Sequence, residues 1–146
     1  MPVLDSSAMI AYLNKEKGGD IIKIWVEAGD VALYVHAINL CEVFYDALRD
    51  KSHAAAERAI AILKADGIIE RNDMDGAFWR DIAYLINARR TQSPPPDNPK
   101  LKPRLALGDA CGRALARRLN DEFVTADRTE IEPLQNAGLV KVAFIR

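Results

Sequence analysis

A chain of 146 residues has room for one ordinary domain with its own core, and 49% of the residues are apolar against 28% charged. That balance excludes a disordered chain, and no apolar run nears the ~20 residues of a membrane helix. The net charge of -1, from 20 basic and 21 acidic residues, gives no support to a generally basic nucleic-acid binder, although a local patch would suffice. The N-terminus lacks the basic-then-apolar layout of a secretory signal, since Asp5 interrupts it at once, so the cytoplasm is the expected compartment. Cys41 and Cys111 read as reduced core thiols. There is no C-x-x-C, and His36 and His53 match no zinc spacing.

In chain order the pattern alternates. Pro2 to Asp5 reads as a strand, followed by a helix from Ser6 to Asn14 with Ser6 or Ser7 as its N-cap. After a polar break, Asp20 to Ala28 is helical and stops at Gly29. Val31 to Val35 is an almost wholly apolar strand, with helices from Ala37 to Asp50 and from Ser52 to Ala65 behind it. Ile68 to Glu70 is the third strand and Met74 to Arg90 the next helix. Thr91 to Pro103 then breaks every period with five prolines. Helix resumes from Leu105 to Leu119, Glu122 to Thr125 is a strand, Glu130 to Ala137 a last helix, and Leu139 to Ile145 a closing strand. Short apolar strands alternating with helices imply parallel pairing with helices on both faces. The expected fold is a three-layer α/β/α sandwich around a parallel sheet of about five strands, formed by residues 1–146 as a single domain.

Ligands of such sheets sit outside the carboxyl ends of the strands, and four acids are placed there. Asp5 ends the first strand, Glu42 lies in the helix after the second, Asp109 opens the helix before the fourth, and Asp127 follows the fourth. Plain explanations exist for three of them. Asp127 with Glu130 spells a capping box, Asp109 in a first turn suits the helix dipole, and Asn39, Glu42, Asp46 and Arg49 form one polar stripe. Asp5 resists such an account, because Val3 and Leu4 draw its strand inward and nothing near it in sequence neutralises it. Two carboxylates ~4 Å apart repel by about 4 kcal/mol at an effective dielectric of 20, so four on one rim call for a hard cation. Oxygen-only ligands point to Mg²⁺ or Mn²⁺ and to hydrolysis of a phosphodiester. Basic residues gather at Arg89-Arg90, at Lys100, Lys102 and Arg104, and at Arg113, Arg117 and Arg118, each with a solvated face as its simplest explanation.

Val3-Leu4-Asp5-Ser6-Ser7-Ala8, Ile38-Asn39-Leu40-Cys41-Glu42, Leu107-Gly108-Asp109-Ala110 and Val124-Thr125-Ala126-Asp127 resemble, in order and spacing, the four motifs of PIN-domain nucleases. The length resembles the VapC-type toxins of bacterial toxin–antitoxin pairs. The resemblance implies an endoribonuclease dependent on Mg²⁺ or Mn²⁺, with Asp5 and Asp109 as principal metal ligands and Glu42 and Asp127 binding a second metal or orienting water. It also implies support from Ser6, Asn39 and Thr125, a homodimer, and silencing by a small antitoxin protein. Lys100, Lys102, Arg113, Arg117 and Arg128 are the candidate RNA contacts.

Two departures from the family pattern stand out. Gly108 and Gly112 flank Asp109 inside a helix, which either loosens the helix start or permits close backbone approach. No acid stands two residues after Asp127, so Arg128 is left to serve the RNA phosphate. Two other classes are weighed. A phosphate-accepting receiver domain also gathers acids on a sheet rim, but its phosphorylated Asp closes the third strand, and an Asp-x-Asp phosphohydrolase is disfavoured by Ser7. A catalytically silent binding module with the same fold is the other alternative.

Overall fold

The computed structural model describes residues 1–146. Its elements run β1 (Val3–Leu4), α1 (Ser6–Leu13), α2 (Gly19–Ala28), β2 (Tyr34–His36), α3 (Ala37–Asp50), α4 (His53–Ala65), β3 (Ile69–Arg71), α5 (Gly76–Arg90), α6 (Leu107–Leu119), β4 (Phe123–Thr125), α7 (Glu132–Asn136) and β5 (Val142–Phe144). All five strands pair in parallel, in the order β3-β2-β1-β4-β5. The expected three-layer α/β/α sandwich is the fold observed.

Alternation along the short strands divides the core between the two faces of the sheet. Val3 and Phe123 join Phe78, Leu85, Leu115 and Leu134, from the α5, α6 and α7 side. Leu4, Val35 and Val124 join Met9, Ile22 and Leu63, from α1, α2 and α4. β1 is buried on both faces, which is why its two residues are both apolar.

The strands are shorter than the apolar runs suggest. β1 has only two residues, so the ladder on β2 begins at Tyr34, opposite Val3, and Val31 is left exposed. α7 starts at Glu132, later than expected, because residues 127–131 turn on themselves. The Arg128 carbonyl accepts from both Ile131 and Glu132, and Pro133 fits the first helical turn, where its missing N–H costs nothing. Residues 91–106 carry no helix or strand, and Gln92 Nε2 ties their start to the Pro133 carbonyl at 3.0 Å.

One arrangement positions everything that follows. The chain leaves the central strand β1 toward β2 and β3 on one side and later fills β4 and β5 on the other, so the strand order reverses beside β1. In open parallel sheets that reversal opens a crevice at the carboxyl ends of the strands. Asp5 stands at its mouth, with its N–H donated to the Val124 carbonyl at 3.0 Å.

Candidate active site

Asp5 is 1% exposed, yet its carboxylate is surrounded by donors. Ser7 Oγ reaches both of its oxygens at 2.8 and 2.9 Å, the Ala8 N–H donates at 2.7 Å, and Thr125 Oγ1 makes a further short bond. The N-cap of α1 is therefore Asp5 itself and neither of the serines expected there. Burial nevertheless wins over these donors. It pushes the Asp5 carboxyl up to about 6, with Thr125, Ala8 and Ser7 holding it back and the Asp127 charge adding to the rise.

Ser7 does the work anticipated for Ser6, which makes no hydrogen bond to the site. Besides Asp5, the Ser7 hydroxyl accepts the Ala126 N–H at 2.9 Å and lies 3.2 Å from Thr125 Oγ1. Thr125 Oγ1 in turn accepts the Asp127 N–H at 2.9 Å. One fully buried threonine hydroxyl thus links the acid at the end of β1 to the acid after β4.

Asp127 does not cap a helix. Its Oδ1 accepts the Thr129 N–H at 2.8 Å in a local turn, and the position before α7 belongs to Ile131. The capping-box reading fails for Glu130 as well. That carboxylate crosses to the loop before α6, where it accepts the Ala106 N–H at 3.1 Å and Arg104 Nε at 3.2 Å. Glu130 is also a neighbour of Asp109, so the rim carries a fifth acid that the four motifs do not reveal.

Asp109 sits in the first turn of α6, half-buried. Burial drives its carboxyl far above the ordinary range. The charges of Asp5 and Glu130 push the same way, and Arg113 opposes them. Glu42 comes from α3, with Oε2 accepting Asn39 Nδ2 at 3.3 Å. Gly108 settles why a glycine precedes Asp109. A Cβ there would lie 2.3 Å from a Glu42 carboxylate oxygen, so α6 can approach Glu42 only as bare backbone. Gly112 plays the same part deeper in, where a Cβ would meet the Phe123 ring at 2.3 Å and Asn39 Oδ1 at 3.0 Å.

The basic residues divide sharply. Arg113 is 0% exposed and points into the protein, so it is no surface contact for RNA. Arg117 pairs with Asp81 of α5 at 3.0 Å. Arg128 lies over the Phe144 ring at 4.2 Å and borders an open groove lined by Ser7, Asp127, Thr129 and Arg146. Lys100 and Lys102 are exposed in the Pro-rich loop that leads into α6.

Asp5, Glu42, Asp109 and Asp127 all lie on the rim around the crevice, but no three carboxylate, imidazole or thiol groups converge into a ready coordination sphere. Mg²⁺ and Mn²⁺ keep several waters and take one or two carboxylates from a protein, so neither requires three converging ligands. The oxygen-only donors and the two acids held high by burial fit such an ion.

The fold and the acid-lined crevice define a class, and the comparisons name it. The PIN domain family model matches residues 3–132, and the chain belongs to that family. Against the curated proteins nothing matches. Among solved structures the chain resembles VapBC-1 of nontypeable Haemophilus influenzae at 16% identity, with 99% of this chain and 97% of that one covered and a TM-score of 0.69. It is also similar to Mycobacterium tuberculosis VapC20, a sarcin–ricin loop cleaving toxin, at 15% identity, 97% and 98% coverage and a TM-score of 0.65. A toxin–antitoxin complex from Klebsiella pneumoniae aligns at 20% identity, 100% and 98% coverage and a TM-score of 0.63. At these identities the likeness is one of fold.

Proposed function

We propose that this PIN-domain protein is a metal-dependent endoribonuclease, the toxin of a toxin–antitoxin pair. The observation that carries the reading is the meeting of Asp5 and Asp109 at the sheet crevice, both held far above ordinary carboxyl values by burial without a paired cation. Buried acids with no cation paired to them are costly, and a bound divalent ion offsets the cost. Asp5 and Asp109 would hold Mg²⁺ or Mn²⁺, with Glu42 and Asp127 alongside. Such an ion supplies Lewis-acid stabilisation of phosphodiester charge and lowers the pKa of bound water.

The chain's own residues prepare that site. Ser7 and Thr125 fix the Asp5 carboxylate by donating to it, and Thr125 also sets the backbone of Asp127. Asn39 steers Glu42, and Gly108 lets the start of α6 close on it. Arg128 and Arg146 border the groove beside Asp127 and are placed to attract a phosphate backbone. An apolar groove lined by Ile10, Leu13, Val43, Ala47 and Ile62 supports an antitoxin partner, since it offers an amphipathic segment a place to lie. The VapC proteins it resembles in fold support the same partner and an RNA substrate; a homodimer in the cytoplasm belongs to the same reading.

The test is RNA cleavage by protein stripped of any bound antitoxin, with and without Mn²⁺. Cleavage that needs the ion and disappears in Asp5→Asn is expected. Equal activity of wild type and Asp5→Asn, or none with any RNA while metal affinity is unchanged by the substitution, overturns the reading.

A further inference from the structure

We infer that Arg113 is a resident cation of the acidic rim, a fixed positive charge against which an incoming divalent ion must bind. The inference rests on the metal-dependent reading above and concerns how strongly this site holds its ion.

Arg113 lies on α6 one helical turn after Asp109, so both side chains project from the same face. It is 0% exposed, among the largest fully buried side chains of the protein. Its Nε, Nη1 and Nη2 have no hydrogen-bond partner, and it forms no ion pair. The guanidinium carbon lies 5.2 Å from the Phe123 ring. A guanidinium is charged at any physiological pH, and burying one with all its donors idle is costly. Packing alone is a poor reason for that cost, because leucine or methionine would fill the space without it. Direct contact with substrate phosphate is a poor reason too, because no part of the side chain reaches the surface.

What surrounds Arg113 supplies the reason. Asp109 stands one turn before it on α6, and Asp5, Glu130 and Asp127 also lie near enough to act on its charge. The guanidinium offsets part of the repulsion among the acids when no metal is bound. A divalent ion entering the same field meets a like charge, so the residue that eases the metal-free state also weakens the ion's hold. The ligand concerned is a hard divalent cation, Mn²⁺ being the convenient probe.

Titration calorimetry of Mn²⁺ into wild type, Arg113→Met, Arg113→Lys and Asp109→Asn tests this. Arg113→Met is expected to bind Mn²⁺ at least tenfold more tightly, while Arg113→Lys, which keeps the charge, stays near wild type. Equal or weaker binding by Arg113→Met overturns the inference. Circular dichroism checks the fold, and Arg113→Gln, which removes the charge but keeps an amide, carries the same test if the methionine variant does not fold. Asp109→Asn separates the two levels of argument: loss of Mn²⁺ binding upholds the metal site, whereas wild-type binding in that variant sinks the site itself.

Discussion

The carboxyl rim of the sheet holds two groups of acids with opposite electrostatics. At its edge, after β3, Asp73 and Asp75 are met by Arg71 and Arg118, with contacts of 2.8 to 2.9 Å and a very short one from Arg118 to Asp75. Both carboxyls are held below the ordinary range, Asp75 by its bond to Arg118 and Asp73 by Arg71 and Arg118 against a burial that pulls the other way. At the centre, beside β1, Asp5 and Asp109 have no ion-pair partner and are held high. The edge acids are neutralised from within, whereas the central acids, those of the proposed site, are left for a charge from outside. Arg113 is the instructive intermediate: a cation stands near the central acids but pairs with none.

The largest effect that would break this contrast is at the centre. Asp5→Asn and Asp109→Asn are expected to lower metal-dependent RNA cleavage by about a thousandfold, as loss of several kcal/mol of transition-state stabilisation implies. Thermal melts should show both variants still folded, because asparagine at position 5 can still accept the Ala8 N–H. Wild-type turnover in either variant removes the distinction between the two groups of acids.

Thr125→Val comes next. It deletes the hydroxyl that joins Asp5 to Asp127 without changing the volume much, and the expected loss is about 10- to 100-fold in metal affinity or activity, the usual effect of removing a partner of a metal ligand. Calorimetry with Mn²⁺ separates this from a pure loss of stability.

The two glycines of α6 sharpen the comparison differently. Gly108→Ala pushes a methyl against the flexible end of Glu42, so cleavage should fall roughly tenfold while stability holds or rises by up to about 1 kcal/mol, alanine being the better helix former. Gly112→Ala pushes a methyl against a buried ring, and there the expected result is destabilisation of about 1–3 kcal/mol. Denaturant melts alongside RNA assays read both.

The smallest effect is at the edge. Because Asp73 and Asp75 are held low in the folded protein, their contribution to stability is present above their unfolded values near 3.9 and is lost as the pH falls through the lower folded values. Arg118→Ala should therefore flatten the acid limb of a plot of melting temperature against pH and leave RNA cleavage unchanged. An unaltered acid limb means that the arginine contributes nothing there.

Much of this was legible in the sequence because the signals are local. Apolar runs such as Val3-Leu4 and Phe123-Val124 mark buried strands, and Asp5, Asp109 and Asp127 each stand next to a strand end or helix start, with Glu42 on the polar stripe of the helix after β2. What was not legible depends on contacts across long stretches of chain. The sequence names Ser6 as support and either serine as the cap, because only the turn after β1 decides which hydroxyl faces inward and leaves the cap to Asp5. Glu130 read as a local cap, but its partner Ala106 lies 24 residues away. Arg113 reads as part of a basic helix face, although it lies on the inward side of α6 and is fully buried. Gly108 allows either a loosened helix start or a close backbone approach, and the Glu42 carboxylate beside it selects the second.

The central strand also sets a clock. Asp5 and Thr125 are separated by 120 residues, and the bond between them needs β4 beside β1. At a synthesis rate of ~5–20 residues per second, the first acid waits roughly 6–24 s for the last part of its site to leave the ribosome. A nascent chain of the proposed toxin therefore holds an unfinished site for nearly all of its synthesis, and an antitoxin has until the final strands pair to intercept it.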